Sequence, residues 1–329
     1  MNSFGRIFRV SIFGESHGEC VGVCLDGVPA GIELAEEDFA ADLARRRGGS
    51  RGTTPRRESD EPRIVSGLFN GRTTGAPLTL LFANGNTRSG DYAGLVQHPR
   101  PGHADWVAAR KFGGFNDYRG GGHFSGRLTL GLVAAGVVAK KIVSGVSFST
   151  AIVELGGSSD PAQFGTIVDE AMAGHDSVGG VIECRAEGVA PCWGEPFFDS
   201  AESIAAHLLF SIPAVKGVEF GAGFGAARLR GSQNNDPLIA ADGTTATNNA
   251  GGICGGITNG NPLVVRVAVK PTPSISLPQE SFNMESGRVE RLEIRGRHDA
   301  CIALRAGVVV EAALAIALAD LKLTASARS

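Results

Sequence analysis

The chain is poor in aromatic rings, closely spaced cysteines, net charge and long apolar runs, and each shortage narrows what it does. Aromatic residues fill 6% of 329 positions, too few for the stacking platforms that hold single-stranded nucleic acid. The six cysteines (Cys20, Cys24, Cys184, Cys192, Cys254 and Cys301) include no CxxC pair, so zinc-type spacing is absent. A chain of this length buries a sizeable core without disulfide staples, and the six read as reduced thiols. A formal net charge of −3 argues against a general nucleic-acid binder. The most apolar stretches, 128–139 and 307–319, fall short of a bilayer span and carry Arg127, Lys140, Lys141 and Glu311 at or within their ends. The opening MNSFGRIFRV has no apolar run of the signal-peptide kind. The expectation is a soluble, cytoplasmic protein that engages neither membrane nor nucleic acid.

Glycine, by contrast, is abundant: 47 residues, about twice ordinary usage and without a collagen-like period. That predicts tight turns and close approaches of backbone to a ligand. Strands are expected at 5–13 and 20–26 around the turn GESHG, then near 76–83, 146–155, 179–187, 216–221 and 263–270. Residues 36–47 place Phe39 and Leu43 one helical turn apart and end in ARRR, which suits a helix C-terminus. Residues 128–144 and 306–322 read as helices apolar nearly all round, which requires burial on more than one side. VCLDGVPAG followed by DFAADL is echoed by ECRAEGVAP followed by SIAAHL, matching Phe39 and Leu43 to Ile204 and Leu208. Internal duplication, with halves of roughly 5–145 and 146–322, and chance similarity both account for that echo. Either way we expect one domain over 1–329 with an α layer between two sheets.

Four patches concentrate chemistry. In GESHG (14–18) an imidazole, His17, stands in a glycine-rich turn, open to a ligand and with a pKa suited to giving or taking a proton. The alternative is a turn histidine bonded to backbone. In HPRPGHADW (98–106), prolines restrain the approach to His103 and Asp105 is placed to orient it, while the spacing of His98 and His103 around a proline fits no helical metal pair. In DYRGGGHFSGRLTLG (117–131), three glycines, Ser125 and Arg127 lead into a helix: free N–H groups, a hydroxyl and a guanidinium that could cradle an anion. This run matches neither the P-loop nor the dinucleotide fingerprint, and a plain glycine-rich turn also explains it. In IRGRHDAC (294–301), Arg297, His298 and Asp299 put cation, base and acid side by side, although a solvated charge run has the same composition. The polar loop 48–63 adds Arg51, Arg56, Arg57 and Arg63, a cluster that a small polyanionic substrate would need.

Taken in order, GESHGECVGVCLDGVPAG, RPGHADW, DYRGGGHFSGRLT, NNAGGICGGITNG, VKPTPSIS and GRHDAC…VVVEAALA resemble the chorismate synthase family from about residue 5 to residue 322. The resemblance implies an α+β fold, a β-α-β sandwich with helices layered between two mainly antiparallel sheets in pseudo-twofold halves, assembled as a homotetramer. It implies a lyase that eliminates phosphate from 5-enolpyruvylshikimate 3-phosphate in a 1,4-anti sense to give chorismate, with reduced FMN but no net redox change. The departing C6 hydrogen is not beside a carbonyl, so a simple base has no acidic proton to attack, and the family's reduced flavin transiently lends electron density. By this resemblance His17 is the acid that assists the leaving phosphate, with Ser16 beside it. His103 protonates or polarises the reduced flavin, and Asp299 works with flavin N5 on the C6 proton. Ser125 joins this catalytic group, and FMN contacts carry over to His123, Phe124, Ser125, Pro213, Ala214, Gly255, Lys270, Pro271, Thr272, Pro273, Ser274 and Arg297. Arg46 and Arg51 match positions assigned to NADPH in the family; here they are expected to serve the substrate's phosphate and carboxylates, with Arg127 assisting.

Two other functions remain consistent with these residues: an NAD(P)H-dependent flavin reductase, and a non-catalytic flavin- or anion-binding protein. No strand–GxGxxG–helix unit supports the first, which points to a separate reductase as the source of electrons and leaves NADPH an indirect role. His123 stands where the family usually has arginine, Pro213 where asparagine is usual, and Pro273 where a small hydroxyl residue is usual. With no arginine at 123, the charge facing an anionic cofactor depends on protonation of an imidazole. FMN affinity should therefore weaken as pH rises from 6 to 8; a titration that stays flat across this range refutes the expectation.

Overall fold

A computed structural model of the chain describes residues 2–56, 58–87, 89–294, 296 and 298–328. Two antiparallel sheets face each other across a layer of helices. The first contains strands Ser3–Phe4, Arg9–Gly14, Cys20–Asp26, Leu78–Ala83 and Arg63–Ser66, side by side in that order. In the second the order is Val215–Phe220, Leu263–Val269, Gly180–Glu187 and Ser147–Leu155. Each half thus runs as an antiparallel strand pair, a helix, an edge strand and a strand that returns to the middle, the pseudo-twofold arrangement expected of the α+β sandwich; in the second half the helix Phe164–Ala173 lies between the paired strands in chain order. Alternation fixes the register: Val21, Val23 and Leu25 point into the core from one strand, and Val265 and Val267 from its counterpart.

Between the sheets lie the helices Thr129–Ile142 and Ala303–Ser326. Their absence of a polar face follows from their place, since each packs on a sheet and on the other helix. They approach closely at Gly136: a Cβ added there would stand 2.7 Å from Ala312 Cα and overlap the Ala312 methyl. Two acids interrupt the second helix and both are matched. Glu311, buried, accepts from Arg45 Nη2 at 2.7 Å and pairs with Lys140, which also reaches Asp42 at 2.6 Å. Asp320, also buried, accepts the backbone N–H groups of Ile7 at 2.8 Å and Phe8 at 2.9 Å.

That last contact explains one departure from the sequence reading. Residues 5–8 alternate like a strand, but the N–H groups of Arg6, Ile7 and Phe8 are spent on Asp320, so the strand begins only at Arg9. The amphipathic segment 36–47 opens as a 3₁₀ turn, Glu36–Phe39, before the α-helix Ala40–Arg46; Phe39 and Leu43 are buried, as is Leu208 in the helix Ala201–Ser211. Among the described residues no helix is long and apolar enough to cross a membrane.

The Gly136–Ala312 approach is testable by thermal unfolding. Gly136→Ala should destabilise the fold by about 1–3 kcal/mol through overpacking and lower Tm by several degrees. Combining it with Ala312→Gly should recover part of the loss; an unchanged Tm in the single variant would contradict the close approach.

Candidate active site

One cavity of about 1090 Å³ opens where both central helices begin. Its wall carries seven Arg or Lys side chains against three Asp or Glu, so the hollow is positive although the chain is not. His17, His103 and Asp299 all line it, as do His123, Phe124, Ser125, Pro213, Ala214, Lys270, Thr272, Pro273, Ser274, Arg46 and Arg127.

The two imidazoles meet the same turn from different sides. Gly120, Gly121 and Gly122 have φ of 60°, 81° and 52°, the left-handed region that side chains disfavour. A Cβ on Gly120 would overlap the His17 ring and stand 2.9 Å from Ser16 Oγ, while one on Gly121 would lie 3.5 Å from His103 Nε2. Glycine is therefore required by proximity as well as by φ at 120, and by φ at 121. The GESHG turn is pinned to this one by Ser16 N–H, which donates to Gly122 O at 3.1 Å.

His17 is buried and stacks edge-on against Tyr92, ring centroids 5.2 Å apart. Burial, and then the positive charge of Arg56, hold its pKa below the ordinary value, although Asp117 pulls the other way. The resting imidazole is thus neutral near pH 7. His103 is oriented as its sequence context predicts: Nδ1 lies 2.7 Å from Asp105 Oδ1. Arg100 Nη2 stands 3.1 Å from the same nitrogen, so Nδ1 is held by this pair and Nε2 remains toward Gly121. Asp105 is in turn clasped by Arg100, through Nε at 2.7 Å and Nη2 at 2.7 Å. Burial pushes the Asp105 carboxyl upward, but hydrogen bonds from Arg100 and His103 outweigh it and keep the group ionised.

Asp299 is held from two sides. Arg305 grips both carboxylate oxygens, Nε to Oδ1 at 2.8 Å and Nη2 to Oδ2 at 2.8 Å, and Thr54 N–H donates to Oδ1 at 2.9 Å. Arg46 and Arg127 share a third acid, the buried Asp60. Arg46 also reaches Thr129 Oγ1 at 3.1 Å, and Arg127 reaches Asn84 Oδ1 at 2.9 Å. The sequence pattern anticipates a cradle of free donors at Ser125 and Arg127; instead Ser125 Oγ accepts from Arg127 N–H at 3.3 Å and the guanidinium is bound within the protein. These arginines give the wall its charge more than loose hydrogen bonds.

Around the predicted flavin segment, Lys270 Nζ donates to Gly102 O at 2.6 Å and Ser274 Oγ accepts from Arg100 Nη1 at 2.9 Å. His123 Nδ1 donates to Gly14 O at 2.8 Å. Ala214 adopts φ 78°, a conformation unusual for a residue with a Cβ. Thr272 Oγ1 is buried with no hydrogen-bond partner among the described residues.

Other predicted residues stand off the cavity wall. Arg51 is exposed and pairs with Asp169. Gly255 occupies the turn between Ile253–Cys254 and Ile257–Thr258, and Pro271 is exposed. Ser16 is buried behind the wall and Arg297 lies outside the described residues. His98 turns away from His103 toward Ser281 O, at 3.0 Å. Sequence reasoning left Glu58, Asp60, Tyr92, Arg100 and Arg305 off the site. Arg100 sits inside the proline-flanked HPRPGHADW run, and that was the available signal.

The model of the family described as chorismate synthase matches residues 8–323. Chorismate synthase from Chitinophaga pinensis is 61% identical over 324 residues, covering 98% of this chain and 97% of its own. Those from Dehalococcoides mccartyi and Thermococcus kodakarensis are 49% and 47% identical, each over at least 96% of both chains. A crystal structure of chorismate synthase superposes with a TM-score of 0.73 at 29% identity, over 98% of this chain and 93% of that one. The chain belongs to the chorismate synthase family.

Proposed function

We propose that this protein is a chorismate synthase, a lyase that converts 5-enolpyruvylshikimate 3-phosphate to chorismate by 1,4-anti elimination of phosphate. The observation that carries the reading is the convergence of His17, His103 and Asp299 on one positive cavity, with Gly120 and Gly121 between the imidazoles. The substrate has a phosphate and two carboxylates, and a wall of seven cations against three acids suits it. Reduced FMN, when bound, supplies the transient electron density that this elimination needs. The left-handed Ala214 and the close Gly102–Lys270 contact, both on the cavity wall, support a ligand there. His123, Phe124, Ser125, Pro213, Ala214, Lys270, Thr272, Pro273 and Ser274 would hold the cofactor.

His17 gives a proton to the departing phosphate oxygen. His103, fixed through Nδ1 by Asp105, would face the reduced cofactor through Nε2 and would govern its protonation. Asp299, clamped by Arg305, would work with flavin N5 in handling the proton lost from C6. Ser16 and Ser125 assist proton movement near His17 and His103, and Arg46 and Arg127, held within the protein, attract the substrate's anionic groups through their charge. A separate reductase supplies reduced flavin, with NADPH as an indirect electron source, and the enzyme works as a cytoplasmic homotetramer. We also read the two halves as a duplication; the matching strand orders support it.

An oxygen-free assay with dithionite-reduced FMN and the phosphorylated substrate, but no NADPH, should release chorismate, followed by its absorbance. Absence of product overturns the reading. His17→Ala and His103→Ala should each lower turnover by about 10²–10⁴-fold; a non-catalytic binder would give no activity in any form.

The pH dependence has a definite sign. The acid form of His17 is required, and in the free enzyme burial and Arg56 place its pKa below 6.5, so kcat/KM should fall as pH rises through a value below 6.5. A bound phosphate dianion stabilises the imidazolium and raises that pKa. The fall in kcat should therefore come at higher pH than the fall in kcat/KM; coincident profiles would remove His17 from this role.

A further inference from the structure

Arg56 and Glu58 form a clamp that the reaction as described leaves without a part. Glu58 is nearly buried and faces mostly backbone: it accepts from Gly85 N–H at 3.0 Å and from Asn86 N–H at 3.1 Å. Burial raises its pKa, but the hydrogen bonds from Arg56 and Gly85 prevail and hold it low, so it is a fixed anion. It grips Arg56 through Nε at 3.1 Å and Nη2 at 2.7 Å. The guanidinium is thereby directed at the residue before His17, with Nη1 donating to Ser16 Oγ at 3.0 Å and Nη2 to Ser16 O at 3.2 Å.

We propose that Glu58 is a positioning residue which locks Arg56 against Ser16 and so keeps a fixed positive charge beside His17, where the departing phosphate gathers. The proposal rests on the chorismate synthase reading for what gathers there, but the clamp itself is a matter of geometry. An arginine fixed before the reaction costs no reorganisation as negative charge develops on the leaving group. Mobile, it would have to be recruited at each turnover. Among the described residues, Asp117 and Arg119 also act on His17 through their charge, and the edge of Tyr92 packs against its ring.

The clamp and a direct charge effect predict opposite signs. If Glu58 acted on His17 through space alone, Glu58→Ala would remove a negative neighbour and lower the His17 pKa. If Glu58 acts by holding Arg56, the same change releases the cation and the pKa rises, toward the value in Arg56→Gln. The test is the NMR titration of the His17 ring in the full chain, its signal identified by loss in His17→Gln. An upward movement of roughly half a pH unit or more is expected in Glu58→Ala, with Glu58→Gln in between because its amide oxygen still accepts from Arg56. In parallel, Glu58→Ala and Arg56→Gln should each lower kcat by about tenfold to a hundredfold, and the double variant should be no worse than either alone. A downward movement in Glu58→Ala, or kcat losses that multiply in the double variant, would overturn the clamp. Should Glu58→Ala fail to fold, Glu58→Gln and Arg56→Gln decide by the same signs. Wild-type protein that makes no chorismate would sink the functional reading, while the titration still judges the clamp.

Discussion

The site depends on a steric fact: in a run of three left-handed glycines, Gly120 and Gly122 bring backbone where no side chain fits. With φ between 52° and 81°, residues 120–122 fold a turn tight enough for the His17 ring to occupy the space of a Cβ on Gly120. A Cβ there would displace the imidazole and Ser16 together, because Ser16 is tied to the same turn through Gly122 O. Glycine loses much conformational freedom on folding, and three in a row make this turn expensive. The cost is met by the surrounding core, which overdetermines the position of the turn between the first sheet and the start of helix Thr129–Ile142.

The second organising feature is that cations at the cavity are paired before any ligand arrives. Arg46 and Arg127 lean on Asp60, Arg305 on Asp299, Arg100 on Asp105 and Arg56 on Glu58. Buried ion pairs add little net stability, since desolvation consumes most of the attraction. Their value here is geometric: each acid fixes the direction of the guanidinium it holds, and Asp60 of two. Asp60 takes this furthest, holding φ 52° itself while it serves two buried arginines.

Much of this was legible in the sequence, and the exceptions have physical causes. Period-two strands and all-apolar helices announce themselves because burial on one or both faces leaves a compositional trace, as in LVVRVAV and GVVVEAALA. The helix Asp105–Lys111 escaped notice because it is short and half exposed, and the hairpin Gln279–Asn283 with Arg288–Leu292 because its charged faces carry no alternation. At the site, residues in glycine- or proline-rich runs were found from sequence, since such runs mark constrained backbone. Those that act by long-range pairing were not. Nothing local joins Arg305 to Thr54, or Asp60 to Arg127, and only the folded chain brings them together.

The layered architecture and the chemistry meet at the helix starts. Both central helices begin at the cavity, one through Leu128 and Thr129, the other through Ile302 and Arg305. Each presents the positive end of its dipole there. Arg46 joins the two, donating to Thr129 Oγ1 at the first helix while its own carbonyl accepts from Arg305 Nη1 at 3.4 Å at the second. A change in the helix–helix approach near Gly136 would therefore shift both ends of the Arg46 link, and with it Asp60 and Asp299. The pseudo-twofold sandwich accordingly does more than bury surface. By running its two apolar helices from a common end, it assembles a positive, rigid hollow in a chain whose net charge is negative, and that is a condition a small polyanion needs and bulk composition does not reveal.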